Sequence, residues 1–235
     1  MHTHARYMAA YLPDEKNCAY AVCSCAGKAG TELHCDMAGM VAGPKFRGIK
    51  MLPPGLHLFC WDAGHDKHAT FLLFPRAHVE TWRWDAGKED LEVVADPQER
   101  DRLVYAVRSN SFDRELGQYP EEENRGWPRI SYLITPPTLQ RMGLNCGVKT
   151  SASASQTLLD GERVVDDAPV APVFTQLSSA RRCPGMSAHE VSHYNMDGTQ
   201  RLADTLSSGK VEWKELLAQV QVLGLLALLA QTYKY

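Results

Sequence analysis

The chain of 235 residues has no C-x-x-C pair, no N-x-S/T glycosylation site, no G-x-S-x-G elbow, no P-loop and no G-x-G-x-x-G turn. Without the last three, acyl-transfer and nucleotide chemistry lack their usual supports. No run of lysines or arginines accompanies a formal net charge of -3 and a pI near 6.3, so binding to nucleic acid by phosphate neutralisation is not expected. The longest apolar segment, Val222 to Ala230, is well short of the ~20 residues of a membrane helix. Residues 1–13 lack the basic start and long apolar core of a secretory signal. Seven cysteines, an odd number with no C-x-x-C pair, fit reduced thiols better than a disulfide framework. Although Cys23 with Cys25 or His65 with His68 could serve a metal, an ordinary core place is the preferred reading of such cysteines. The expectation is a globular intracellular protein with no membrane span.

What is present divides into a β-rich first part and a helical remainder. Residues 17–25 and 31–37 flank the turn-like GKAG and read as a hairpin, with Leu33, Cys35 and Met37 alternating against Glu32, His34 and Asp36. Residues 56–61, apolar on both faces, read as an interior strand, and 71–74, 78–84 and 90–94 complete a mostly antiparallel, sandwich-like set. Asp96 as N-cap, Pro97 at the first helical position and Glu99 closing a capping box announce a helix that Gly117 and Pro120 end. A shorter helical region spans Trp127 to Met142, broken at Thr135-Pro136-Pro137. The expected class is thus two-domain α+β: a β-rich domain over 1–149, a small, acidic, proline-containing linker over 150–172, and the start of an all-helical domain over 173–235. The last helix is apolar nearly all round from Val222 to Ala230, so it needs neighbours on several sides, and the helical domain is expected to be incomplete.

One motif raises a sharper question. Residues 189–193, HEVSH, match H-E-x-x-H, in which two histidines share one helix face as zinc ligands and the glutamate acts as base on bound water. A zinc peptidase would use His189 and His193 with Glu190 as base. Three features oppose it. Ser187 and Glu190 form S-x-x-E, a capping box, with Met186 and Val191 placed as its hydrophobic staple. Val191, Tyr194, Gly198, Leu202 and Leu206 make one apolar stripe, from which both histidines point away toward solvent. Met196 and Thr199 occupy the positions that would extend the ligand set. The solvent-facing capped helix is the preferred reading, with no metal and no cofactor. Trp82 and Trp84, sharing a strand face with His78 and Glu80, are read as core packing rather than a binding surface.

The segment 43–55, GPKFRGIKMLPPG, gathers three glycines, three prolines and the cations Lys45, Arg47 and Lys50 around Phe46, Ile49 and Met51. It reads as a glycine-shaped loop. It also resembles the most characteristic segment of the AAR-two splicing-factor family, assembly chaperones of the U5 small nuclear ribonucleoprotein. ETWRWD (80–85), ELGQYP (115–120), WPRISYLI (127–134) and HYNMDGTQRLADTL (193–206) follow in that family's order, while residues 145–172 match poorly. The resemblance implies a β-sandwich-like domain joined to a helical one, without catalysis. It also implies binding to the spliceosomal scaffold Prp-eight through that protein's RNase H-like and Jab/MPN regions, in cytoplasm and nucleus, delaying docking of the Brr-two helicase. Lys45, Phe46, Arg47 and Lys50 are the expected partner-binding residues, on the expectation that their loop is exposed.

Overall fold

A computed structural model of the chain describes residues 18–23, 30–63, 66–151, 170–177, 186–209 and 211–231. Among these residues ten strands form two five-stranded sheets. They are β1 (Ala19–Cys23), β2 (Glu32–Cys35), β3 (Ala38–Val41), β4 (Gly48–Leu52), β5 (Gly55–Ala63), β6 (Asp66–Phe74), β7 (Val79–Asp85), β8 (Asp90–Val93), β9 (Gly117–Gln118) and β10 (Thr150–Ser151). One sheet has the order β8-β7-β1-β4-β9 and the other β10-β6-β5-β2-β3. Most pairs are antiparallel, but β1 runs parallel to β7 and β4 parallel to β9.

The inner faces meet over Cys35, Ile49, Leu52, Phe59, Trp61, Phe74 and Trp82. β5 is apolar on both faces because its other face is buried too: Leu58 and Cys60 join Phe71 beneath helices. The expected hairpin of 17–25 with 31–37 does not form. β1 lies in the first sheet between β4 and β7, whereas β2 pairs with β3 and β5 in the second. The apolar alternation of 31–37 was a sound strand signal, but the nearest strand in sequence is not its partner.

Helix α1 (Pro97–Arg108) covers the outer face of the first sheet with Leu103 and Val107 against Val22, Val94 and Leu116. Asp96 caps it by accepting from the Gln98 backbone N–H, while Glu99 lies 3.6 Å from Arg83. The outer face of the second sheet carries α2 (Trp127–Ser131) and α3 (Pro136–Arg141), divided at the expected prolines. Of the expected linker, 152–169 lies outside the described residues. Thr150 and Ser151 pair with Ala69 and His68 of β6.

Among the described residues three further helices follow: α4 (Ala188–Met196), α5 (Gly198–Ser207) and α6 (Trp213–Gln231). Asp197 divides the stripe read as a single helix, closing α4 and capping α5 through the N–H groups of Thr199 and Gln200. The last helix finds neighbours that its sequence did not name. Val222 and Leu225 enter the layer formed by Leu58, Phe71, Trp127, Leu139 and Met142, and Arg141 pairs with Glu215. Gln219 clamps the chain at Thr175, accepting from its N–H and donating to its hydroxyl at 2.8 Å each. The opposite side of α6 leaves Trp213, Leu217, Val220 and Leu223 exposed. Among the described residues no helix is long and apolar enough to cross a membrane.

Candidate functional site: the 43–52 crest and its buried anchor

The segment read as a loop is half strand. β4 begins at Gly48, whose φ of +132° is costly for any residue with a side chain, and a Cβ there would sit 2.0 Å from the carbonyl oxygen of Ala21. Glycine therefore sets the close approach of β4 to β1, beside the register shift between Ala19 and Ala21. Before it, the Phe46 N–H closes a turn on the Gly43 carbonyl at 3.0 Å. Lys45 stands exposed at the crest, and Phe46 is half-buried against Gly117 and the inter-sheet core.

Arg47 and Lys50 do not project freely. The Arg47 guanidinium pairs with the Glu115 carboxylate and lies 4.8 Å from the centre of the Phe112 ring, while its backbone N–H donates to the Glu115 carbonyl at 2.9 Å. Lys50 reaches Asp113, at 2.6 Å from Oδ1 and 3.0 Å from the backbone oxygen. These contacts fasten residues 112–119 along β4, where β9 pairs with Ile49 and Lys50. The structure thus brings the four expected residues together on one ridge, with Lys45 as its exposed cation and two cations engaged within the chain.

Beneath the ridge lies a polar cluster that no sequence motif announced. Asp36, at φ +59° in the two-residue turn between β2 and β3, is buried with His57 and Tyr119. Its Oδ1 accepts from the Leu58 N–H at 2.9 Å; its Oδ2 accepts from the Tyr119 hydroxyl at 2.6 Å and faces His57 Nδ1 at 2.7 Å. The other ring nitrogen of His57 lies 2.7 Å from the carbonyl of Pro53. The Tyr119 N–H donates to the Lys50 carbonyl at 2.9 Å, which joins this cluster to the crest. Burial, and then the negative Asp36, push the Tyr119 hydroxyl far above its ordinary range, so it stays a donor.

Cys35, Asp36 and His57 place a sulfur, an oxygen and a nitrogen within 4.8 Å of one another. As metal ligands they fit poorly. Burial pushes the Cys35 thiol well above its usual range and so away from the thiolate that ligates, and the carboxylate and imidazole atoms already hold partners. The cluster is built as a hydrogen-bonded core element.

A second polar group ties the sheets at the other side. Asp90 accepts from Trp61 Nε1 at 2.7 Å, Lys149 Nζ at 2.6 Å and its neighbour's N–H, with His68 Nδ1 at 3.2 Å. Burial opposes its ionisation, but the bonds from His68, Lys149 and Trp61 outweigh this and hold its carboxyl well below the usual carboxylate range. His65 and Cys25, weighed as possible ligands beside His68 and Cys23, lie outside the described residues. Trp82 is buried between the sheets as expected, and Trp84 is half-buried at their edge.

The HEVSH segment forms the capped start of α4. Glu190 accepts from the Ser187 N–H at 2.7 Å and from its hydroxyl at 2.8 Å, which lowers the carboxyl's pKa, and His189 and His193 are exposed.

The family model of the AAR2 N-terminal domain matches residues 26–143, which hold β2 to β9, the crest and the buried cluster. The mouse protein AAR2 homolog is 31% identical over 124 residues, 48% of this chain and 31% of that protein. The human one is 29% identical over 123 residues, with the same coverage of 48% and 31%. The Caenorhabditis elegans protein AAR2 homolog is 24% identical over 233 residues, 87% of this chain and 65% of that protein. The chain thus spans about one third to two thirds of the length of the curated relatives it matches. With half of its residues matched by that domain, and the ridge and its anchor inside the match, the chain belongs to the AAR2 family.

Proposed function

We propose that this chain is a non-enzymatic splicing factor that assists assembly of the U5 small nuclear ribonucleoprotein. It binds the Prp-eight scaffold through the scaffold's RNase H-like and Jab/MPN regions and delays docking of the Brr-two helicase, acting in cytoplasm and nucleus. Membership of the AAR2 family over residues 26–143 carries the reading. A chaperone of this kind works by surface occlusion, so its specificity rests on a buried interface and its release rather than on turnover.

The ridge of Lys45, Phe46, Arg47 and Lys50 is the proposed contact. It suits that task because ion pairs and backbone bonds already hold it in one shape, which lowers the cost of ordering on binding. Residues 150–172 are proposed as the connection between a β-rich unit, 1–149, and a helical one, 173–235. Nothing observed favours a peptidase, whose required base, Glu190, is engaged in the α4 cap.

The test is size-exclusion co-elution of the full chain with the purified RNase H-like and Jab/MPN region of its Prp-eight, followed by titration. A stoichiometric complex is expected. A folded sample that elutes alone at every concentration would remove the proposal.

A further inference from the structure

His189 and His193 lie outside the ridge proposed as the contact. They stand one turn apart on α4, both exposed, and neither ring has a hydrogen-bond or ion-pair partner among the described residues. Residues four apart on a helix have their Cβ atoms about 5–6 Å from each other on one face. A cation held at ~2.0–2.1 Å from each ring nitrogen can bridge such a pair. The intervening glutamate does not interfere, because Ser187 holds its carboxylate at the helix start.

We propose that His189 and His193 chelate a divalent transition ion, zinc in the first instance, in an open two-nitrogen site completed by water. Imidazole suits zinc, copper and nickel, whereas calcium and magnesium require oxygen ligands, so the class of ion follows from the donors. The separation from peptidase chemistry is structural: the ligand pair is present, but its glutamate serves the helix cap. The placement gives the ion an effect on the chain itself. No residue of α4 is fully buried: only Val191, Tyr194 and Asn195 are half-buried, and Tyr194 bonds Asp204 of α5, so much of its helical form rests on the Ser187 capping box and the closing Asp197. An ion joining positions 189 and 193 closes a helical turn and favours the folded helix by mass action.

With two ligands instead of the four of a structural zinc site, the dissociation constant falls at about 1–100 µM. The experiment uses the full tag-free chain, stripped of metal, titrated calorimetrically with zinc chloride, alongside His193→Gln and His189→Gln. Amide exchange of residues 188–196 is followed with and without zinc. The expected result is one binding event that each substitution weakens at least about tenfold, with exchange across 188–196 slowed by zinc only in the unsubstituted chain. Equal affinity of the chain and its variants, no uptake below about 1 mM, or uptake without slower exchange across 188–196 overturns the proposal.

Discussion

Reversing the charge at Arg47 separates what the crest does for the fold from what it does for a partner. The sequence alone suggests that Arg47→Glu would leave stability nearly untouched, since the loop reads as exposed. In the structure the guanidinium pairs with Glu115 and lies on Phe112, each of the paired side chains about one third exposed. Partial exposure screens the ion pair to about 0.5–1 kcal/mol, and the ring contact adds about 0.5–1 kcal/mol. Placing Glu against Glu115 adds a further repulsion on the order of 0.5 kcal/mol. The sum is about 2 kcal/mol, or roughly 4–8 °C of melting temperature for a chain of this size. The exchange Arg47→Glu with Glu115→Arg should recover most of that loss while reversing the sign of the exposed charge. Thermal unfolding of the single and double variants measures the first part, and scaffold titration with the refolded double variant measures the second. A single variant that melts with the unsubstituted chain, or a swap that recovers nothing, would refute the assigned pairing.

Gly48→Ala should cost more than about 3 kcal/mol, because it adds backbone strain and an overlap with Ala21 that neither strand can relieve; soluble yield and circular dichroism check it. Tyr119→Phe removes one bond to a buried carboxylate and should destabilise by about 1.5–3 kcal/mol, whereas His57→Ala, which strips Asp36 of its imidazole, should cost about 3–5 kcal/mol; denaturant melts that rank them the other way would contradict the cluster. His34 has its pKa lowered by burial first and then by Lys67, so the unfolded chain binds a proton more readily. Its contribution is therefore complete above the unfolded value of about 6.5 and is lost as pH falls below it. His34→Gln should shrink the loss of stability between pH 7 and 5, as read from urea midpoints. An engineered protease site within 152–169 should leave two fragments that still co-elute, since Val222 and Leu225 are buried against the sheet layer; Leu225→Asp should release them.

Local chemistry was legible in the sequence wherever one segment decides its own form. Asp96, Ser187 and the prolines at 136 and 137 each act on neighbours within one turn, and the helices begin where they stand. The doubly apolar run of β5 also declared its interior place. Pairing was less legible because it depends on distant partners: the turn-like GKAG pointed β1 toward β2, but β1 is completed by β4 and β7. β4 was hidden by its own requirements, a glycine where two backbones touch and a lysine whose charge turns to Asp113. The Asp36–His57–Tyr119 cluster joins residues 21 and 83 positions apart, each ordinary where it stands, so no spacing rule could reveal it. The clustering of the crest residues was legible, but the engagement of Arg47 and Lys50 was not, since Glu115 and Asp113 lie more than sixty residues away in sequence.

The position of α6 in the chain has a consequence during synthesis. The sheet layer and its first helices are complete at Ser151, but the side chains that finish their outer face, Val222 and Leu225, come about 70 residues later. At about 5–20 residues per second, roughly 4–14 seconds separate the two events on the ribosome. Throughout that interval Leu58, Phe71 and Met142 are without their final cover. A message broken or a ribosome stalled between those points would therefore yield a protein with its crest intact and an adhesive back, a natural target for cellular quality control.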